Sequence, residues 1–414
     1  MLVIEDKGGA IALMLMALFF LGTWPALITL LERRGRLPQH TYLDYSITNL
    51  LAAVIIATAF GQAGESKPGM PNFITELNQI QDNWPSVLTA MAGGLTLGLG
   101  NLVSQYAWAF AGLSVTNIIG SSMTVVIGWH NGELFSRWPH KSCQILFPGV
   151  VCFLIAVFLG SAVHSSNAKD DQEKLKMAES SGVELITEAV STEMALPDPE
   201  KPRNSEDGKG NEVNTISQAK AGTAEFIIQL EKRRSIKVFG SHMLLGLGLV
   251  FFSGACFCLY APLINLAIND QWHALKRKGT PHLVVYTAFF YFSLSAFMLG
   301  ISLNVWFLYL PMAGVPASTI RAYVRDWNGR HWALLAGLLC GFGNGFQFMA
   351  GQAAGYAAAD AVQALPLVAT FWGVILFGEY RRSSKKTYLL LAAMLSMFVI
   401  AVAVLMASSG HRKT

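Results

Sequence analysis

The chain has 414 residues, 30 Lys+Arg against 26 Asp+Glu, and a net charge of +4. Apolar residues make up 53% and charged ones only 14%, where a soluble domain carries roughly 25% charged residues. This excludes a disordered chain, a coiled coil and a nucleic-acid-binding domain, which needs a concentrated basic patch. The charge is also unevenly spread: 25 of the 56 charged residues fall between His164 and Lys237, and the rest of the chain is as charge-poor as a lipid-embedded protein must be.

Ten apolar runs are long enough to cross roughly 30 Å of hydrocarbon as helices. In order they are Gly9–Leu31, Tyr42–Phe60, Pro85–Ala107, Leu113–Gly128, Ile145–Val163, Val238–Tyr260, Val284–Leu310, Trp332–Gly351, Tyr356–Phe377 and Tyr388–Ala407. Their length and the lack of period-2 alternation predict helices rather than barrel strands. The expected fold class is an all-α multi-pass membrane protein with ten transmembrane helices. The first run is too long for a cleavable signal peptide, and Glu5 and Asp6 precede it. The fourth run is the short one: it ends at Gly128 and meets polar residues from Trp129 onward, so its helix either is short or continues with its polar end at the interface.

Between the fifth and sixth runs, Ser165 to Glu225 is rich in Glu, Lys and Ser, and it cannot bury enough apolar area to fold alone. The expected organisation is 1–163 as one five-helix repeat, 164–237 as a polar, disordered cytosolic loop, and 238–414 as a second five-helix repeat. A short helix over Thr223–Arg234 leads into the sixth run. Loop Lys/Arg residues number fourteen on the side of Arg33, Arg34 and Arg36 and nine on the other. The positive-inside rule then places the long loop in the cytosol.

The two halves match at a constant offset of 243 residues. Gly94, Gly98, Gly100 and Asn101 align with Gly337, Gly341, Gly343 and Asn344, and near offset 241 Tyr45 aligns with Tyr286. Five helices per half is an odd number, so the second half sits upside down relative to the first. Inverted repeats are typical of secondary transporters with a midplane site between the halves. The Gly pairs at spacing four allow helices to approach closely, and packing is their preferred reading.

Ionisable residues inside a membrane are few, and each is a candidate. Asp360 lies in the ninth run among alanines and is the candidate for proton exchange. Asp44 and Glu379 rank second. Asp44 is close to Arg33, Arg34 and Arg36, and Glu379 is expected to pair with Arg381 and Arg382. Amides collect in the repeated regions: Asn101, Gln105 and Asn117 in the first half, Asn344, Gln347 and Gln363 in the second. They donate and accept together, which suits a neutral heterocycle with alternating N–H and C=O groups. Trp24 offers a stacking face. Pro25 and Pro366 interrupt two helices at matching depths, where freed carbonyls face ligand or act as hinges. Four of the five cysteines, Cys152, Cys256, Cys258 and Cys340, read as small apolar residues. No nucleophile–base pair, HExxH or phosphate-cradling GxxxxGK[ST] is present, so neither enzyme chemistry nor a metal or cofactor is expected.

Several of these stretches resemble the plant ureide permease family. They are Gly22-Thr23-Trp24-Pro25-Ala26, Glu32–Tyr45, Asn269–Trp272, Tyr286–Phe292, Gly341–Met349, Gly351–Pro366 and Phe377–Arg382, and the resemblance covers nearly all the chain. It implies the ten-helix inverted-repeat fold of the drug/metabolite transporter superfamily. It also implies a plasma-membrane, proton-coupled importer of allantoin and related oxo-heterocycles such as uracil, xanthine and urate. The expected partners are therefore that small-molecule substrate, protons and the lipid bilayer. An exporter of ureides, or a transport-inactive receptor or scaffold, is the alternative. Two stretches depart from the family. Its Walker-A-like string before the sixth run survives only as Ser235, Gly240 and Ser241, with Ser241 where the phosphate lysine would stand, so no nucleotide site is expected. The segment Trp129–Gln144 differs wholly from the family pattern, which puts the fourth helix in question and underlies the inactive alternative.

Overall fold

A computed structural model of the chain describes residues 7–64, 66, 70–135, 140–180, 220–239, 243–269, 275, 282–354 and 364–409. These residues form helices α1 (Lys7–Arg33), α2 (Pro38–Ala59), α3 (Phe73–Asn78), α4 (Ile80–Ala111), α5 (Leu113–Phe135), α6 (His140–Ser180), α7 (Ala224–Arg233), α8 (Met243–Ile268), α9 (Val285–Tyr309), α10 (Ile320–Arg325), α11 (Arg330–Ala354), α12 (Leu365–Ile375) and α13 (Lys385–Ser409). No strand occurs among the described residues. Eight helices, α1, α2, α4, α6, α8, α9, α11 and α13, are long and apolar enough to cross a membrane. Two shorter apolar stretches, Leu113–Val126 in α5 and Leu365–Ile375 of α12, fall where the fourth and ninth runs were expected. Large apolar side chains such as Phe158, Leu244 and Leu389 are exposed on the outside of the bundle. In water such a surface would aggregate; against lipid it is solvated.

Local chemistry sets the helix ends. Pro38 opens α2, where its missing N–H costs nothing. Gly112, at φ +84°, ends α4 and lets α5 begin one residue later. Thr223 caps α7 through the Phe226 N–H, close to the expected start of that helix.

One expectation is corrected. The polar segment from 164 is not loop from its start: α6 continues to Ser180, and its polar turns dock on the start of α13. There the Thr387 hydroxyl donates to Asp170 at 2.6 Å and the Ser383 hydroxyl to Asn167 at 2.8 Å. Pairing with α13, not apolarity, sustains this part of the helix. Pro366 lies in the first turn of α12, and the stretch just before it, 355–363, lies outside the described residues. The α5 backbone stays helical past Gly128 to Phe135, which agrees with the continuing helix among the two readings left open for the fourth run.

Helix pairing follows a pattern. α4 packs on α8 and α9, and α1 on α11 and α12; α2 packs on α11 and α9, α5 on α8 and α12, and α6 on α13. Replacing each long helix by the one five runs away maps this set onto itself. The α5–α6 contact is the exception, having no equally extensive α12–α13 counterpart among the described residues. Glycines make the closest approaches. A Cβ at Gly98 would lie 3.2 Å from the Ala296 Cα of α9. One at Gly341 would lie 2.6 Å from the Ala52 Cβ of α2. The packing reading of these residues holds.

Candidate functional site

The centre of the bundle holds a polar cluster. Tyr45 on α2 is 2% exposed. Its hydroxyl donates to the Cys340 Sγ of α11 at 3.0 Å and accepts from Asn49 Nδ2 and Asn101 Nδ2, each at 3.1 Å. Asn344, one turn beyond Cys340, donates to the Cys340 carbonyl at 3.0 Å and to its Sγ at 3.3 Å. Trp24 of α1 stacks on the Tyr45 ring at 5.2 Å and 30°, and Trp108 of α4 meets Trp24 edge-on at 5.3 Å. Four helices thus converge on one phenol. The spacing follows from the sequence: Tyr45 and Asn49 are four apart on one helical face, as are Cys340 and Asn344.

Beside this cluster lies a cavity between α2, α4, α9 and α11, bordered by Tyr45, Asn49, Asn101, Ser293 and Asn344. Its volume is about 10 Å³, about the room one water needs. Small-molecule pockets typically span roughly 300–1,000 Å³, so a ligand enters only when these helices part. The cluster can donate from amides, accept at amide oxygens and stack a flat ring.

Of the expected contacts, Trp24, Asn101 and Asn344 meet at this cluster. Gln105 does not: it sits one turn along α4, beside a second cavity. Gln347, half-buried, reaches the Tyr260 hydroxyl of α8. Asn117 is turned into its own helix, donating to the Leu113 carbonyl at 2.7 Å. Asp360 and Gln363 lie outside the described residues, as do Gly240 and Ser241. Ser235 is described; its N–H donates to the Glu32 carbonyl at 3.1 Å. No group of three metal-ligating side chains occurs among the described residues.

One end of the bundle is closed by ions. Asp44 pairs with Arg36 at 2.5 Å and with Arg330, distant in sequence, at 3.2 Å, and accepts from the Tyr323 hydroxyl at 2.8 Å. Glu32 takes Arg234 bidentately at 2.9 and 3.2 Å and the Ile236 N–H at 3.2 Å. His40 and Asp326 meet at 2.8 Å. Burial raises the Asp326 carboxyl, but the His40 hydrogen bond and the Arg36 charge outweigh it and leave it below the ordinary value. The expected pairing of Glu379 with Arg381 and Arg382 is corrected. Its carboxylate accepts from the Leu113 N–H at 2.7 Å and from the Ser114 N–H and hydroxyl at 3.2 and 2.7 Å, with Arg33 at 3.7 Å. The N-terminus of α5, with its unsatisfied N–H groups, is a stronger partner than exposed arginines.

Away from these contacts, on the short helix α3, sits Glu76, which sequence reasoning missed. It is 2% exposed and accepts from the Val284 N–H at 3.0 and 3.2 Å, capping α9, whose own N-cap residue is apolar. Burial pushes its carboxyl up to about 7 against the pull of the Val284 hydrogen bond. Nothing in its local sequence marks it, because its partners lie about 200 residues away. Tyr45 carried a signal, its alignment with Tyr286 across the repeat.

The ureide permease family model matches residues 41–408. The chain is 63% identical over 413 residues to ureide permease 2 of Arabidopsis thaliana, with both chains covered in full. It is 60% identical to ureide permease 1 of the same plant, again over all of both chains. It is 56% identical over 387 residues to the probable ureide permease A3 of Vigna unguiculata, covering 93% of this chain and 99% of that one. A match spanning both halves of a multi-pass helical membrane protein leaves one conclusion: the chain belongs to the ureide permease family.

Proposed function

We propose that this chain is a proton-coupled secondary transporter that imports allantoin and related oxo derivatives of nitrogen heterocycles, including uracil, xanthine and urate, across the plasma membrane. The observation that carries the reading is the Tyr45 cluster. It sets amide donors and acceptors from three helices beside a stacked indole, next to a small cavity within the apolar bundle. That chemistry fits a flat, neutral ring bearing N–H and C=O groups, and the relatives are named ureide permeases.

The halves are two inverted five-helix repeats, 1–163 and 238–414, joined by the cytosolic segment 164–237. Support comes from the helix pairing, which survives exchange of each run with the one five places on. Matched glycines also meet matched helices. Gly94 and Gly98 face α9 and Gly100 faces α8, while Gly337 and Gly341 face α2 and Gly343 faces α1. The ionic end is the cytosolic face. Ligand contacts are Trp24, Asn101 and Asn344 first, with Gln347 and Gln363 joining when the helices move; Asp360 exchanges the proton.

Uptake of labelled allantoin by cells lacking their own uptake tests this reading. Saturable uptake that unlabelled uracil, xanthine and urate compete away, and that Asp360→Asn strips of its pH dependence, is expected. Uptake no greater than in empty cells overturns the reading; full pH dependence in Asp360→Asn removes that residue from it.

A further inference from the structure

The Tyr45 cavity has a neighbour of about 10 Å³, bordered by Ile28, Glu32, Arg36, Thr41, Gln105 and Ile236. Two helices, α2 and α4, line both cavities, and α1 leads from Trp24, stacked on Tyr45, to the second. Ile28 lies four residues from Trp24 on α1, Thr41 four from Tyr45 on α2, and Gln105 four from Asn101 on α4. Four residues rise about 6 Å along a helix, so the second cavity lies directly beneath the first, toward the ionic end. Its floor is Glu32, held by Arg234.

The side chains here are incompletely satisfied. Gln105 is 3% exposed, and neither its amide oxygen nor its amide nitrogen has a protein partner. The Thr41 hydroxyl, 2% exposed, also lacks one. A buried amide without partners is costly, and an apolar side chain of the same shape would avoid the cost. Gln105 offers a donor and an acceptor side by side on one plane. That is the complement of a cyclic amide or ureide edge, which offers an adjacent C=O and N–H. A cation or an anion would not use both atoms.

We propose that Gln105 and Thr41 form a second binding station, on the path between the Tyr45 site and the Glu32–Arg234 closure, for the amide edge of a neutral N-heterocycle. The station rests on the transport reading above. It opens when Arg234 leaves Glu32, and it holds the ligand one helical turn nearer the cytosolic face than the Tyr45 site does.

The test is sided. Full-length protein is reconstituted in one orientation, and the half-saturation of allantoin exchange is measured separately from each face. In Gln105→Leu the value on the face of the ionic end rises about tenfold, equivalent to about 1.4 kcal/mol, while the other face shifts less than twofold. Thr41→Val gives a smaller shift of the same sidedness and decides the matter if Gln105→Leu does not fold. Equal shifts on both faces, or no shift together with greater resistance to unfolding, overturn the station and leave Gln105 a packing residue. Wild-type exchange with unsided variants removes the station alone. Wild-type protein that exchanges no allantoin removes the transport reading and the station together.

Discussion

Replacing Glu76 by Gln separates the acid's charge from its shape. The carboxyl is 2% exposed and closes the N-terminus of α9 through the Val284 N–H. Burial lifts it from 4.5 to about 7. Each tenfold change in proton affinity is worth about 1.36 kcal/mol, so the difference amounts to about 3 kcal/mol. The sign follows from which state holds the proton. Between pH 4.5 and 7 the folded protein keeps it and the unfolded chain has released it. Glu76 therefore destabilises the fold increasingly as pH rises through that window, with no further change above it. Tyr291 is a titratable neighbour on α9, and a phenol is silent in this range. Glu76→Gln mimics the neutral acid and removes this contribution. Denaturant unfolding of purified protein at about pH 5 and about pH 8, on either side of most of the window, measures it. The wild type should lose about 2.5 kcal/mol more between the two conditions than the variant does. Identical pH slopes for the two proteins would refute the reasoning.

Breaking a buried ion pair from one side leaves a bare charge, so Arg234→Ala should cost about 3–5 kcal/mol in denaturant unfolding, with Glu32→Gln in the same background restoring part of it. Tyr45→Phe keeps the ring against Trp24 but strands the Asn49 and Asn101 amides. It should cost about 1–3 kcal/mol of stability and weaken allantoin half-saturation about tenfold in uptake assays. Gly341→Val drives a side chain into Ala52 and the Asn49 carbonyl, forcing α11 off α2. Loss of monodisperse protein in gel filtration is expected, and a normal profile would count against the close helix approach.

The apolar runs announce the helices because hydropathy records which segments meet lipid. The run Val284–Leu310 becomes α9, Val285–Tyr309, within a residue at each end. Helix α3 escapes notice, since six residues carry no usable period. The extension of α6 to Ser180 escapes too, because its partner is the start of α13, more than 200 residues on. Asn101 and Gln105 look equivalent in sequence, four apart on one face, yet one meets Tyr45 and the other has no protein partner. Only the neighbouring helices decide that. Proximity in the chain assigns Glu379 to its adjacent arginines; in three dimensions the N-terminus of α5 takes it. Charge and period are local signals, and these partner choices are long-range.

The most direct measurement is allantoin accumulation in proteoliposomes containing only this protein, with an imposed proton gradient and the membrane potential clamped. Accumulation of labelled allantoin above the outside concentration when the source compartment is acidic, collapsing when a protonophore is added, is what the account predicts. Equilibration at the same rate with and without the gradient, or no entry at all, would contradict it.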